Sequence, residues 1–353
     1  MSFSNQGRFR QQVRFLRRQF LQDGELPFTD VLSEGTITQA LKALSVVWLD
    51  RVYSPLVTLW VFLGQVLSQD HSCRAAVARL IAHRASRRQP ACSAETSAYC
   101  QARKRLPEEF FSAVARKAGQ SLDDNAQQQW RWKGRRVLAY DGSTVSMPDT
   151  AENQQAYPQP PQQQPGLGFP LARIAAFFSL SCGAILDLGI CRYSGKGHSE
   201  LGMLRLLWGI LRPSDVLLAD RYMCSWREIH LLKQRGIDTV TRMHHCRRAD
   251  FRRGNRLGKG DHIVQWVKPS MRSVDTATFK ALPQQLMMRE TRVSIEQPGF
   301  RCKSMIIVST LLDAKHVTAT DLAELYRARW NAELDLRSLK QTMQMDILRC
   351  KTP

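Results

Sequence analysis

No two of the nine cysteines in this chain are spaced Cys-x-x-Cys, and nine is an odd number. They are scattered at positions 73, 92, 100, 182, 191, 224, 246, 302 and 350. That scatter excludes a disulfide-stapled secreted scaffold and a zinc ribbon, and it points to a reducing compartment. His244-His245-Cys246 is a zinc-type triplet, but no second ligand cluster accompanies it, and no zinc site is assigned from the sequence. Long apolar runs are also missing. The longest, Pro55 to Leu67, falls short of the roughly 20 residues a bilayer span needs and reads as a buried helix. The arginines near the N-terminus lead into no apolar segment or small-residue cleavage site, so no signal peptide is expected. No tandem repeat is visible. Acidic residues are scarce, with 31 Asp and Glu against 51 Lys and Arg in 353 residues, a net charge of +20. A surplus of that size points to nucleic acid or another polyanion; a merely basic surface is the plainer alternative.

The positive charge is clustered. Residues 1–136 hold 21 Lys and Arg against 11 Asp and Glu, and residues 244–318 hold 14 against 6. These nets of +10 and +8 leave only +2 for the rest of the chain. The pattern fits a nearly neutral catalytic body flanked by two basic clamps.

Residues 1–30 read as a basic arm or fraying helix (Arg8, Arg10, Arg14, Arg17, Arg18), and 35–122 as helices. Pro107 opens one of these, with Glu108 and Glu109 placed to favour the helix dipole. The helix ending in Arg103-Lys104-Arg105 can lie against phosphates in a helix-turn-helix, or be a solvated basic end. From Arg136 the pattern changes. Val137–Asp141, Leu171–Leu180 and Ala184–Tyr193 read as strands, with a Gln/Pro-rich exposed loop at 154–165. A helix at Ser199–Leu211, a buried strand at Asp215–Asp220, a helix at Trp226–Arg235 and a strand at Ile237–Met243 follow. Segments at Asp261–Val267, Thr291–Glu296 and Ser304–Thr310 then alternate as a β-rich, basic insertion.

Near the end of the chain, Tyr326, Arg329, Glu333 and Lys340 sit at helical offsets that place them within an arc of roughly 60°. Leu325, Ala332, Leu336, Leu339 and Met343 form an adjacent apolar stripe. One edge can pack on a core while the next faces an anion. Asp141 ends one predicted strand and Asp220 another, where open sheets collect ligands. With Glu333 they make three carboxylates suited to Mg²⁺ or Mn²⁺, with two ions as the natural complement for phosphodiester chemistry. Each aspartate alone also reads as a helix N-cap or turn residue.

These residues carry a resemblance. The chain resembles the DDE transposases of the insertion-sequence-4 family, whose last acid lies in the pattern Tyr, two residues, Arg, three residues, Glu, six residues, Lys; Tyr326, Arg329, Glu333 and Lys340 match it at all four positions. Asp141-Gly142-Ser143-Thr144 and Asp220-Arg221 match the family's two aspartate contexts. VFLGQVLSQDHSCRAAVARL with TSAYCQARKRLP resembles the helical N-terminal domain of a subgroup. The resemblance implies an α/β protein. A ribonuclease H-like catalytic core (131–243, resuming at 319–353) is interrupted by a β-rich basic insertion (244–318) and preceded by a helical, basic, DNA-binding domain (1–130).

It further implies a metal-dependent cut-and-paste DNA transposase of a bacterial mobile element. Asp141, Asp220 and Glu333 are then the catalytic metal ligands, two Mg²⁺ or Mn²⁺ ions the cofactors, and double-stranded DNA (transposon ends and target) the partner. The enzyme is expected as a homodimer on DNA, in the cytoplasm at the nucleoid, with no membrane. Tyr326, Arg329 and Lys340 are expected to hold the DNA end. Arg247, Arg248, Arg252, Arg253, Arg256 and Lys259 are expected on phosphates, or else in a solvated loop. Trp266 is the candidate to stack on a flipped base, its alternative being a β-core tryptophan. His198 reads as a cap or core-edge residue more than a participant. Relatives usually continue past the point where this sequence stops, 13 residues after Lys340, so a shortened C-terminus is expected. That keeps two alternatives open: a non-catalytic DNA-binding copy that occupies element ends, and a ribonuclease H-like nuclease without strand transfer.

Overall fold

The computed structural model describes residues 32–48, 51–195, 197–271, 274–294, 304–342 and 345–353. The expected N-terminal arm, the strand continuation at 295–296, Lys196 of the turn before His198, the side chain of Leu339, and Met343 lie outside the described residues. The chain separates into two compact units, one of residues 1–125 with 338–344, the other of 126–337 with 345–353.

The described part of the first unit is helical: α1 (Glu34–Ala43), α2 (Pro55–Leu67), α3 (Cys73–Ser86), α4 (Ser97–Arg105) and α5 (Glu108–Asp124). Hydroxyl caps start three of them, with Ser33, Ser54 and Ser72 each accepting from the backbone amide three residues on. The apolar run at 55–67 is a helix of this core. Leu59 and Trp60 pack with Ile37, Leu41, Phe110 and Val114, while Val61 packs with Val77 and Tyr99. Gln65 knits α2 to α4 by accepting from the Tyr99 hydroxyl at 2.7 Å and from Arg103 at 3.2 Å. Arg103, which the sequence offers to phosphate, is thus engaged inside the unit.

The second unit is built on one nine-stranded sheet. In chain order its elements are β1 (Val137–Ser146), α6 (Ala151–Ala156), β2 (Leu171–Ser179), β3 (Ile185–Arg192), α7 (Glu200–Leu207), β4 (Val216–Ala219), α8 (Trp226–Gln234), β5 (Asp238–Arg242), β6 (Asn255–Gly258), β7 (Asp261–Val267), α9 (Thr276–Ala281), β8 (Gln285–Ser294), β9 (Ser304–Ser309) and α10 (Ala319–Arg337). The sheet order is β3-β2-β1-β4-β5-β9-β8-β7-β6. β1, β4 and β5 run parallel, and every other pairing is antiparallel.

Side chains of a strand alternate between faces. Leu138, Tyr140, Leu217 and Ala219 point to one side and pack with Met203, Leu204 and Leu207 of α7 and Leu232 of α8. Val137, Val216, Leu218 and Val240 point to the other and pack with Leu322, Leu325 and Tyr326 of α10. Two helical layers therefore sandwich the sheet, and residue parity decides which layer a strand residue meets.

The β-rich segment differs from a free-standing insertion. Its strand β9 pairs directly with β5, Val240 opposite Ser309, so the four strands extend the core sheet. Short β6 is absent from the sequence reading; it closes a hairpin on β7, where Gly254 (φ 78°) lies so close to the Ile263 carbonyl that any side chain would collide. Residues Asp346–Leu348 run along the end of β1 and bond Ser146 on both sides. Among the described residues no helix is long and apolar enough to cross a membrane.

One buried ion pair ties the extension to α10. The Arg289 guanidinium, fully buried on β8, grips Asp261 of β7 through two bonds of 2.9 and 2.6 Å and donates to the Val317 carbonyl just ahead of α10 at 2.6 Å. Asp261 also accepts from Thr291 at 2.8 Å. Removing one partner strands the other charge in a dry interior. Asp261→Ala is expected to lower the unfolding free energy by about 3–5 kcal/mol in urea titration; a loss below about 1 kcal/mol would show the pair to be incidental.

Candidate active site

The parallel ladder between β1 and β4 runs from Val137 opposite Val216 to Tyr140 opposite Ala219. Asp141 and Asp220 are the next residue on each strand, one step past the last rung. Parity sends both toward α10, on the side of Val137, Val216 and Leu218. Neighbouring strands lie about 4.8 Å apart, so the two carboxylates start as neighbours where the parallel ladder ends, although β1 itself runs on to Ser146 against β2, past the strand end expected at Asp141. Asp220 also caps the 3₁₀ turn Arg221–Met223, accepting from the Tyr222 amide at 2.8 Å. The turn-residue reading and the site reading hold together for this side chain.

Glu333 comes from α10, whose inward face carries Leu322, Leu325, Tyr326, Arg329, Ala332 and Leu336. Arg329 joins the acids. One terminal nitrogen lies 3.8 Å from Asp141 Oδ1, and the other donates to Glu333 Oε1 one turn along the helix. Arg329 is only 7% exposed, whereas the Glu333 side chain is 43% exposed, so Glu333 stands at the rim and Asp141 inside. Burial pushes the Asp141 carboxyl up to about 6; the Arg329 charge pulls it down, and Glu333 and Asp220 push it further up. Both other acids thus act on Asp141. Tyr326 lies beneath, its ring 5.6 Å from the Arg329 guanidinium. Burial raises its phenol pKa, with Arg329 and Asp220 among the charges acting on it.

The donor set fits a hard divalent cation. Three carboxylates converge with Arg329 as the counter-charge between two of them, and Asp141 holds its proton more tightly than an ordinary carboxyl. Oxygen-only ligands of this kind suit Mg²⁺ or Mn²⁺.

Gly142 turns to the opposite face, where a Cβ would lie 3.1 Å from the Glu200 side chain. Glu200 begins α7 and pairs with Arg173 at 2.7 Å. The Asp-Gly sequence therefore lets α7 press against the strand beside the acid, a partner the sequence reading missed. Its signal was the acidic residue directly after the Ser199 cap.

The other expected site residues have surroundings of their own. Lys340 is past the α-helical part of α10, in a π-helical turn, Ser338–Thr342, that groups with the first unit. The regular 100° step behind the four-residue stripe ends at Arg337, so the stripe holds for Tyr326, Arg329 and Glu333. Tyr326 and Arg329 face inward to the core and the acids, not outward as a DNA-holding ridge. Trp266 does not present its ring to a base. It is 4% exposed, its indole donates to Glu290 at 2.7 Å, and the Arg247 guanidinium covers its face at 3.9 Å. The core-tryptophan alternative describes it. Arg247 is spent on that contact, while Arg248, Arg252, Arg253, Arg256 and Lys259 are exposed. Arg252 and Arg253 share Asp250 as partner. His198 sits in the loop before the α7 cap, its amide donating to Gly195.

A carboxyl whose pKa is higher in the folded chain than in the unfolded one stabilises the fold at low pH. That contribution is lost as pH rises from the ordinary carboxylate range through about 6. Asp141→Asn is therefore expected to raise the melting temperature of the metal-free protein at pH 7.5, by the equivalent of roughly 1–3 kcal/mol. The gain should vanish near pH 4 and shrink when Mn²⁺ is added to the wild type. A pH-independent difference in differential scanning calorimetry would contradict this origin.

A family model described as Transposase DDE domain matches residues 132–353. The chain is also 26% identical, over 92% of its length and 71% of the relative's, to the transposase InsG for insertion sequence element IS4 of Escherichia coli (strain K12). The matched span holds the whole sheet, both aspartates and the Glu333 helix, and a DDE domain implies a ribonuclease H-like arrangement of that sheet and its helices. With the family model covering residues 132–353, the chain belongs to the DDE-domain transposases, enzymes that cut and join DNA with the help of divalent metal ions.

Proposed function

We propose that this transposase moves an insertion sequence by cut-and-paste at its terminal inverted repeats, with Asp141, Asp220 and Glu333 as the catalytic ligands of two Mg²⁺ or Mn²⁺ ions. The observation that carries the reading is the bridge of Arg329 between Asp141 and Glu333, with Asp220 one strand away and acting on the same Asp141. When bound, the ions supply Lewis acidity and an activated water or 3′-hydroxyl for phosphodiester attack. Asp141 and Asp220 would fix two ligand positions just past the last rung of the β1–β4 ladder. Glu333, at the rim, supplies the third from a helix that shares their core. Arg329 holds Asp141 and Glu333 at a common separation and is a positioning residue. Tyr326 supports its guanidinium from below.

The DNA contacts follow from exposure. Arg248, Arg252, Arg253, Arg256 and Lys259 project from the loop and hairpin around β6, and they suit phosphate contacts that set orientation and not sequence. The helical first unit, taken as a DNA-binding domain over 1–130, the insertion over 244–318, and a homodimer on paired transposon ends in a bacterial nucleoid complete the proposal.

The test is incubation of the purified chain with its element's end DNA and Mg²⁺. Asp141→Asn and Glu333→Gln should each slow strand cleavage by about a thousandfold or more, roughly 4 kcal/mol of barrier, with end binding retained. Cleavage at the wild-type rate in either variant would defeat the assignment. Arg329→Ala should slow single-turnover cleavage of bound DNA while affinity stays within about threefold. The opposite outcome, lost binding and unchanged cleavage of the bound fraction, would return Arg329 to a direct DNA contact. Replacing Arg252, Arg253 and Arg256 together by Ala should make the dependence of log K on log salt shallower by about 2–3, alike on specific and random duplex. An unchanged slope in a filter-binding series would remove the hairpin from the interface.

A further inference from the structure

The turn after β5 gathers the imidazoles of His244 and His245 and the thiol of Cys246 so that one ligand atom of each lies within 4.8 Å of the others. His245 and Cys246 are exposed, and His244 is half-buried. From the side-chain pattern and its anchoring, we propose that this turn is a binding site for a borderline-soft divalent transition ion, zinc being the reference case. It would be separate from the carboxylate cluster and have water at the remaining coordination position.

Three features support it. First, the ligand types are those of zinc sites, two nitrogens and a thiolate, which a hard cation such as Mg²⁺ does not select. Second, the turn is anchored at both ends. Met243 donates to the Ile306 carbonyl at 2.9 Å, the Arg247 amide closes the turn on the His244 carbonyl at 2.9 Å, and the Arg247 side chain is pinned on Trp266. Third, the His244 tautomer is set. The Cys246 amide donates to His244 Nδ1 at 3.3 Å, so Nδ1 carries the lone pair and carries it on the side of residue 246. An ion there displaces one long hydrogen bond and needs no tautomer change.

Tetrahedral zinc, with bonds of about 2.0–2.3 Å, needs its ligands about 3.3–3.8 Å apart. Rotation of the two exposed side chains would have to close the difference. His245, Arg221, Arg247 and Asp220 are the titratable and charged groups acting on His244. Two cations against one acid disfavour a loosely held hard ion, so affinity rests on the thiolate and the imidazoles. Tyr222, whose amide caps onto Asp220, meets the His244 ring edge-on at 6.4 Å, so the proposed ion flanks the mouth of the carboxylate site.

Cobalt(II) is the probe. The full chain, stripped of metal and kept reduced with a phosphine, is titrated with Co²⁺ while thiolate-to-cobalt charge transfer is read in the near ultraviolet. Zn²⁺ is then added to displace it. Wild type and the Asp141→Asn, Asp220→Asn, Glu333→Gln triple variant should each show one such site. Cys246→Ser should lose the charge-transfer band, and His245→Ala should bind at least tenfold more weakly, since even outer-sphere partners of metal ligands are worth about 10–100-fold. Far-ultraviolet circular dichroism checks that both exposed-turn variants stay folded. Absence of the band in wild type, its persistence in Cys246→Ser, equal affinity in His245→Ala, or its loss in the carboxylate variant would each overturn the proposal. None of these results bears on whether the carboxylates cut DNA.

Discussion

Three carboxylates, two from neighbouring strands and one from a helix, are held close enough that two of them push on the third, and the second unit is organised to keep them there. Burial and like charge both favour the protonated form of Asp141. Arg329 opposes this from the centre of the group, and it can do so because α10 lies across the sheet with Tyr326 and Leu325 sunk into the core. The acids do not hold the fold together. The fold holds the acids, and the local strain in electrostatics is what the proposed divalent cations would relieve.

The position of α10 is in turn set from two directions. Its apolar side chains join Val137, Val216, Leu218 and Val240 under the sheet. Its start is held by Arg289, which reaches the Val317 carbonyl while gripping Asp261. Because β9 pairs with β5, the strands that carry Arg289 and Asp261 are the same sheet that carries Asp220's neighbour. The helix with Glu333 and the strands with the aspartates are thus referenced to one framework, which is how groups 192 positions apart in sequence can share one guanidinium.

Much of this was legible beforehand because the signals were local. The apolar runs that lead into Asp141 and Asp220 are short, though β1 continues past Asp141 to Ser146, and the spacing of Tyr326, Arg329 and Glu333 is helical. The order of strands and helices from 137 to 243 follows from the same periodicities. What was not legible depends on tertiary contact. Trp266 in an alternating strand has the same local pattern whether its ring faces water or Glu290 and Arg247. Arg329 looks like an outward cation on a stripe until the sheet is placed beneath it. The helical offset of Lys340 assumed a regular helix, and the π turn from Ser338 breaks that assumption. Whether a β-rich stretch stands alone or lengthens an existing sheet depends on one pairing, β5 with β9, between distant segments.

The alternation of faces along β1 and β4 has a consequence for how such a gene can change. Swaps among aliphatic residues at 137, 216 or 218 alter packing by degrees. Deleting or duplicating a single codon upstream of Asp141 within β1 does something different in kind, because every later side chain in that strand exchanges sides. The acid would then face α7: after a deletion a glycine would occupy its former place, and after a duplication a tyrosine would, with the acid set against Glu200. Length within these two strands is therefore expected to be far less permissive than composition, and frame-preserving indels should survive only in the loops between them.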